Sequence, residues 1–469
     1  MTEAAPAGPR RRRGVMAGMR RFREELAGSP SLWWATLYFF SLLCGYYVLR
    51  PMRDAMGASG DAMAVFPPGL LAWAAGRGVA LQDYTLQVLF TGTFVIMVLL
   101  QPVYGALVAR FPRRVFLPVV YLFFIACLLC FYWIFHQAVP GRGGLFFIWV
   151  AVFNMFAVTV FWSFMADVFD NDHAKRFYGY IGAGGTLGAL AGPALTSALV
   201  GWLGVANLLL VSAAFLAVCL LCILKLRPWA IRRERLHHDV SGERAMGGSI
   251  IAGLRLVWAR PLLRALALLL FFGVGVGTLL YNEQAAIVKA FYPDPREATR
   301  YYSLIDGSVN ALTLLVQLLL TRALLRRYGV APALLIPAFA ILAGYALLTM
   351  SPLPLLVAAT QIATRAGEFS LGKPGRETIY TRVDRESRYK AKAVIDTVVY
   401  RGSDLTFVWV HKALAVFGSR AVFAAGIGVA AALAFAAWRV VRAQRNLPDE
   451  GSAACRQPAG GAPEDGARG

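Results

Sequence analysis

Residues 115–135 read VFLPVVYLFFIACLLCFYWIF and contain no charged side chain. A helix of this length is about 30 Å long, which matches the hydrocarbon core of a bilayer. Apolar runs of about 18 or more residues with few charges are typical of transmembrane helices. The stretch therefore predicts a membrane-spanning helix.

Apolar runs of similar length recur along the chain. They are found at 32–53, 86–109, 145–166, 178–200, 205–225, 261–283, 303–325, 330–350, 353–372, 392–413 and 420–441. Hydrophobic residues make up 58% of the chain and charged residues 16%, compared with roughly 45–50% and 25% in soluble domains. We predict an all-α membrane protein with twelve transmembrane helices.

The polar segments divide the chain into five regions. We expect a basic, disordered tail (1–31), an N-terminal six-helix half (32–225), a basic linker (226–260), a C-terminal six-helix half (261–441) and a second disordered tail (442–469). The linker is the only long internal break in hydrophobicity. This organisation predicts two units of equal helix number.

The net charge of +21 has two possible meanings. A strongly basic chain is often a nucleic-acid-binding protein, but here the positive charges cluster between apolar runs. If the N-terminus is cytoplasmic, 36 of the 47 Lys and Arg residues lie on the cytoplasmic side and seven on the other. By the positive-inside rule, we predict cytoplasmic termini in a bacterial-type inner membrane and no nucleic-acid partner.

The two halves share a weak internal repeat. Three pairs of similar residues have an offset of 214 positions: Asp170 and Asp384, Asp172 and Glu386, Ile181 and Ile395. Two six-helix halves in parallel repeat are the major facilitator architecture, in which the substrate site lies between the halves near the bilayer midplane.

The first span ends with the charged residues Arg50, Arg53 and Asp54. Ionisable side chains within a span are costly unless they are paired or hydrated, so they are candidates for a functional site. These residues could line an anion-binding cavity. Alternatively, the two arginines extend to the membrane interface and have no binding role.

The eleventh span carries Lys392, Asp396, Arg401 and Asp404. Lys392 and Asp396 are four residues apart and Arg401 and Asp404 three apart, so each pair could neutralise itself on one helix face. The alternative is a polar stripe that lines a water-filled pathway. We favour the stripe, because four charges are more than helix packing requires.

Further polar residues occur in neighbouring spans. Span 10 contains Arg365 and Glu368 at a spacing of three residues, span 7 ends with Tyr281 and Glu283, and span 8 opens with Asp306 and Asn310. Glu283 and Glu368 are included among the candidate substrate-binding residues.

The fifth span contains Gly184, Gly188 and Gly192. A glycine-rich segment could hold a phosphate group, but no strand precedes this one, and the four-residue spacing favours close helix packing. Gly273 and Gly277 in span 7 suggest the same. The chain has no GxxxxGK[ST], HExxH or GxSxG motif, so we expect neither an ATP-hydrolysing pump nor another enzyme, and no cofactor or metal.

Four segments together resemble a known family. The runs YYVLRPMRD (46–54), DNDHAKRFYGYIGAGG (170–185), KAFYPDP (289–295) and RVDRESRYKAKAVIDTVVYRGSD (382–404) are similar to those of the ATP/ADP antiporters, the nucleotide exchange transporters of plastids and intracellular bacteria. That family is distinct from the mitochondrial carriers and related to the major facilitators. The similarity extends over about 32–441.

The resemblance implies roles for particular residues. Basic residues of the family match Arg53, which is followed by Asp54, and either Lys390 or Lys392, while an acidic residue of span 7 most nearly matches Glu283. Arg53 stands where the family usually has lysine, which makes this chain a divergent member.

We expect a secondary active transporter that exchanges nucleotides or a related phosphorylated anion. The expected partners are the lipid bilayer and this small anionic solute. A major facilitator symporter for another organic anion is the first alternative, and a non-transporting membrane sensor or accessory subunit is the second.

Overall fold

The computed structural model describes residues 29–110, 113–169, 171–236, 250–380, 391–392 and 394–445. These residues form helices and connecting turns, and no strand occurs among them. The long helices are α1 (Pro30–Gly57), α2 (Thr85–Arg110), α3 (Arg113–His136), α4 (Arg142–Val168), α5 (171–203), α6 (205–236), α7 (Pro261–Phe291), α8 (Pro295–Val316, continuing to Tyr328), α9 (Val330–Met350), α10 (Pro354–Gly367, continuing to Tyr380), α11 (Ile395–Val399 and Tyr400–Ala415) and α12 (Ser419–Arg445).

Shorter helices lie in the connections. Between α1 and α2 the chain forms the helices Ala62–Val65 and Pro68–Ala75 and a 3₁₀ turn at Leu81–Tyr84, and Ile250–Ala259 precedes α7. The helices α5 and α6 follow each other almost without a break. They are separated at Gly204, whose φ of 76° lies in the left-handed region that favours glycine.

Apolar length accounts for most of these helices. In the part of the chain that the structure describes, nine helical stretches are long and apolar enough to cross a membrane. One of them, Phe177–Arg232, includes Gly204 and therefore contains both α5 and α6. The helices α10 and α11 are outside the nine, because their charged and polar side chains lower the mean hydropathy. The predicted all-α membrane fold is confirmed.

Two large apolar cores organise the molecule. One is built from buried residues between Leu32 and Leu226, and the other from buried residues between Val257 and Val441. The helices of each predicted half therefore pack mainly among themselves. The helix α6 extends to Leu236, beyond the predicted end of the N-terminal half at 225.

The predicted glycine packing motif is confirmed. A Cβ atom on Gly184 would lie 2.6 Å from Thr36 Cγ2, and one on Gly192 would lie 2.8 Å from the carbonyl oxygen of Cys44. A Cβ on Gly188 would overlap the carbonyl oxygen of Phe40. The three glycines thus let α5 approach the backbone of α1 closely.

The same expectation was wrong for α7. An added Cβ on Gly277 would meet nothing within 4 Å, and one on Gly273 would make only an ordinary contact with Leu433. Close packing on this helix occurs instead at Gly275, where the ring of Phe407 from α11 leaves no room for a side chain. The spacing of glycines alone could not identify which face of α7 meets its neighbour.

Candidate functional site

The charged residues at the end of α1 are buried among other side chains. The Asp54 side chain is 3% exposed, and its Oδ1 lies 2.5 Å from Nη2 of Arg53. Arg50 Nε lies 3.9 Å from Asp54 Oδ2. The two arginine side chains are only 18% and 16% exposed. Both guanidinium groups contact carboxylates inside the protein. The two arginine side chains therefore do not extend toward the membrane interface.

Asp306 of α8 joins the two halves of the molecule. Its Oδ2 lies 3.5 Å from Arg50 Nε, and its Oδ1 lies 2.7 Å from Nη1 of Arg365 on α10. The Asp306 side chain is 2% exposed. One buried carboxylate is therefore shared by an arginine from each half. We refer to Arg50, Arg53, Asp54, Asp306 and Arg365 as the central ion cluster.

A second polar contact crosses between the halves beside this cluster. The hydroxyl group of Tyr281 on α7 donates a hydrogen bond of 3.1 Å to Asp54 Oδ1. Tyr281 also packs edge-on against Phe90 of α2, with ring centroids 5.8 Å apart. The part of α7 about three turns before its end therefore contacts both α1 and α2.

The central ion cluster lies well inside the apolar length of its helices. Arg50 precedes the end of α1 by about two turns, and Asp306 and Arg365 follow the starts of α8 and α10 by about three turns each. At 1.5 Å per residue these positions are about 10–16 Å from the helix ends at one face of the molecule. Charges at such depth are tolerated only when they are paired or hydrated.

In α11, Arg401 and Asp404 form the predicted pair. Arg401 Nη1 lies 3.4 Å from Asp404 Oδ2, and the hydroxyl of Thr278 on α7 donates a 2.9 Å hydrogen bond to Asp404 Oδ1. The Arg401 side chain is about one third exposed and lies against the half-exposed ring of Tyr400. These two side chains offer a cation and an aromatic face next to each other.

Lys392 does not pair with Asp396, contrary to the spacing argument. Its Nζ lies 2.6 Å from Oε2 of Glu377 at the end of α10. Asp396 is exposed and belongs to the π-helical turn Ile395–Val399. A π-helical turn contains more residues than an α-helical one, so side chains four positions apart no longer stack.

Arg365 and Glu368 do not pair with each other either. Arg365 contacts Asp306, whereas Glu368 Oε1 lies 2.5 Å from Nη2 of Arg376 and its Oε2 lies 3.0 Å from Nη1. Glu368 opens a second π-helical turn, Glu368–Gly372. A neighbouring helix thus supplies the partner of Arg365, whereas Glu368 pairs with a residue eight positions further along α10.

The π-helical turn in α10 is bound by α8. Gln317 Nε2 donates to the carbonyl of Phe369 at 3.1 Å, and Thr321 Oγ1 donates to that of Ser370 at 2.8 Å. The residues Gln317–Thr321 are themselves π-helical. Single π-helical turns are frequent at functional sites, and here they accompany Glu368 and Asp396.

Glu283 has a partner that sequence reasoning missed. Its Oε1 lies 2.8 Å from Nε2 of His411 on α11, and both side chains are buried. His411 stood in the sequence as one of five scattered histidines, and nothing in its spacing pointed to α7. The pair connects α7 and α11 within the C-terminal half.

Several candidate residues lie outside the described residues. Lys390 is one of them, as are Asp170, Asp384 and Glu386 of the internal repeat. Asp306, Arg365 and Arg376 were visible in the sequence as charges within or beside spans. They were not assigned a binding role, because the partners of Asp306 and Arg365 are on other helices and that of Arg376 is eight positions away on α10.

Contacts between the halves concentrate at the face where α1 ends and α2 begins. One hydrogen bond between the halves, from Asn310 Nδ2 to the carbonyl of Ala189 (2.6 Å), lies deeper in the bundle. Among the described residues, three cross at this face: Gln87 Nε2 to the carbonyl of Val408 (3.1 Å), Trp409 Nε1 to Thr91 Oγ1 (3.3 Å) and Lys412 Nζ to the carbonyl of Asp83 (2.6 Å). A small apolar cluster that includes Ala58 and Val408 lies beside them. We refer to this set of contacts as the far-face closure.

These features define a class of protein. The described residues form twelve long helices in two packed halves, with charged side chains in the interior where the halves meet, and this is the architecture of secondary transporters. The family model of the Major Facilitator Superfamily matches residues 62–362, and the chain belongs to that superfamily. Its fold and family are those of transporters.

Solved structures of transporters share this fold. A D-xylose-proton symporter superposes with a TM-score of 0.59 at 13% sequence identity, covering 89% of this chain and 98% of the other. The D323A mutant of the nucleoside transporter NupG superposes with a TM-score of 0.54 at 16% identity, covering 87% and 99%. At these identities the similarity concerns the fold alone.

A sequence relative is the ADP,ATP carrier protein 1 of Chlamydia muridarum (strain MoPn / Nigg). It is 25% identical over 282 residues, covering 52% of this chain and 52% of the relative. The chain thus matches about half the length of this relative.

Proposed function

We propose that this transporter exchanges phosphorylated anions of the nucleotide class across a bacterial-type inner membrane. The observation that carries the proposal is the central ion cluster, in which three arginines from both halves, each less than one fifth exposed, meet two buried carboxylates. Guanidinium groups match the geometry of phosphate oxygens and form strong charge-assisted hydrogen bonds with them. A cluster with one net positive charge favours an anionic solute.

Three further observations support a nucleotide. Arg401 and Tyr400 present a cation beside an aromatic ring in the C-terminal half, and stacking of a base on an aromatic ring contributes roughly 1–3 kcal/mol. The relative from Chlamydia muridarum is named as an ADP,ATP carrier. Lys392 adds a partly exposed positive charge near the start of α11.

The proposed mechanism is rocking of the N-terminal half (32–225) against the C-terminal half (261–441). The far-face closure holds the halves together at the face opposite the termini. With cytoplasmic termini, the described conformation is closed toward the outside. Substrate would reach the central ion cluster from the cytoplasm, and rocking would then separate the far-face contacts.

A specific observation favours a second candidate function. The carboxylate of Glu283 and the imidazole of His411 lie 2.8 Å apart in the interior, and Glu and His side chains within membrane helices are residue types that form proton relays in transporters. That pair would suit a proton-coupled symporter of another organic anion. An uncoupler separates the two candidates, because exchange of anions continues without a proton gradient and proton-driven symport does not.

Reconstituted protein tests the proposed function. Proteoliposomes loaded with ATP, ADP, phosphate or buffer would be supplied with labelled ATP or ADP. We expect rapid uptake only into vesicles loaded with a nucleotide or phosphate. Equal uptake into buffer-loaded vesicles would contradict exchange, and absence of uptake under every loading would contradict the substrate class.

A further inference from the structure

The shared carboxylate of Asp306 has an unusual position. It is one of the most buried charged groups described, yet it contacts an arginine from each half. Three atoms at this junction are buried without a hydrogen-bond partner in the described part of the chain: Arg50 Nε, Asp306 Oδ2 and Arg365 Nη2. Buried polar atoms are normally satisfied, so this junction has unused capacity to bind a polar group.

The contacts of Asp306 are unequal. The 2.7 Å contact with Arg365 lies within the C-terminal half, and the 3.5 Å contact with Arg50 crosses between the halves. Movement of the halves would keep the first contact and break the second. Arg50 would then lose one of its two carboxylate partners and keep only Asp54, 3.9 Å away.

We propose that Asp306 is a built-in substitute for the anionic group of the substrate, holding Arg50 and Arg365 together until a phosphate or carboxylate group of the solute replaces it on Arg50. This inference rests on the proposed function. An empty transporter resists separation of its halves, because Arg50 and Arg53 would then share the single carboxylate of Asp54, which leaves one positive charge uncompensated in a low-dielectric interior. A bound anion supplies that compensation, so the loaded transporter switches and the empty one does not.

The substitute explains exchange in physical terms. Release of one anion restores the contact between Arg50 and Asp306, and the halves stay closed until another anion arrives. Asp306 itself need not touch the solute. It acts through Arg50. Its removal should therefore have a larger effect on the separation of the halves than on the affinity for substrate.

Accessibility of the far-face closure tests the proposal without measuring transport. Ala58 is 5% exposed and lies in the apolar cluster between the halves. A cysteine introduced by Ala58→Cys should react slowly with a water-soluble maleimide in the empty parent, and mass mapping of that peptide separates it from the native cysteines. Adding Asp306→Asn should accelerate labelling on the order of tenfold in the absence of any anion.

Two controls keep the result interpretable. The double variant Asp306→Asn/Arg365→Gln removes one charge of each sign, so it preserves the local net charge and should label as fast as Asp306→Asn if both fold. Tyr121→Phe removes a buried hydrogen bond to Tyr38 inside the N-terminal half and should leave the labelling rate at the parent level.

Anions added to the parent complete the test. ATP, ADP and inorganic phosphate are the probes, and acceleration by phosphate alone would identify the phosphate group as the replacing anion. Fast labelling of the empty Asp306→Asn variant with no response of the parent to these probes would support the role of Asp306 and contradict a nucleotide substrate. Parent-like labelling of both Asp306 variants would overturn the inference.

Discussion

Arg50 and Asp306 belong to different halves of the protein, yet Arg50 Nε lies 3.5 Å from Asp306 Oδ2 deep inside the helix bundle. Both side chains occupy positions where an unpaired charge would be strongly unfavourable. The relationship ties the closed arrangement of the halves to the ionic state of one small cluster. Substitutions around that cluster should therefore affect transport more than folding when local charge is preserved.

Arg53 tests the anion-binding role of α1. Replacing Arg53 by alanine removes a charge-assisted hydrogen bond, a contribution of about 1.5–3 kcal/mol, so KM for uptake should rise roughly tenfold to a hundredfold. Arg53→Lys should have a smaller effect that is still measurable, because lysine keeps the positive charge but lacks the planar guanidinium group that can form two parallel hydrogen bonds. Uptake kinetics in proteoliposomes measure both. Unchanged KM in Arg53→Ala would exclude Arg53 from the substrate site.

Substitutions of Lys392 and Glu377 distinguish a binding role of the lysine from a structural role of the ion pair. Their ion pair is one third to one half exposed, and such pairs contribute about 0–1 kcal/mol to stability. Lys392→Ala should therefore fold normally and lose uptake, whereas Glu377→Gln breaks the same pair, keeps the lysine charge and should retain uptake. Equal effects of the two variants on uptake would show that the pair, and not the cation, matters.

Gly188 tests the packing of α1 against α5. Gly188→Leu forces a side chain into the backbone of Phe40, and overpacking of this kind typically destabilises a protein by about 1–3 kcal/mol. Thermal unfolding in detergent should show a clearly lower melting temperature. Gly182→Ala is the matched control, because a Cβ there meets nothing within 4 Å. A normal melting temperature for Gly188→Leu would contradict the described helix contact.

The position of the charges predicts the orientation in the membrane. Arg77 is exposed in the connection between α1 and α2, where it lies over the ring of Trp73. A cysteine introduced by Arg77→Cys should be labelled by an impermeant reagent from outside intact cells, and cysteines in 1–28 or 446–469 should not. The reverse pattern would invert the proposed topology and the direction of closure.

The transmembrane helices and the close contact of α5 with α1 could be predicted from the sequence because both follow from local patterns. The predicted span at 115–135 corresponds to Arg113–His136, and the spacing of Gly184 and Gly188 identified a close helix contact. The length of an apolar run determines whether it can span the membrane, and a row of small side chains on one helix face determines where two helices can approach closely.

Ion-pair partners could not be predicted in the same way. Spacing within one helix suggested that Lys392 would pair with Asp396, but Lys392 contacts Glu377 on the neighbouring helix. Asp306 gave no sign that it would meet Arg50, because the two residues are far apart in the chain and on different halves. Contacts of this kind depend on how helices are arranged, and π-helical turns change which side chains share a face.

Equilibrium binding of labelled ATP to the purified protein tests whether the central ion cluster is a nucleotide site. We expect saturable binding to the parent and a loss of affinity on the order of tenfold or more in Arg50→Gln, since a charge-assisted contact to phosphate disappears. Binding should weaken as the salt concentration rises. Parent-like affinity for ATP in both Arg50→Gln and Arg365→Gln would contradict a nucleotide site at the junction of the two halves.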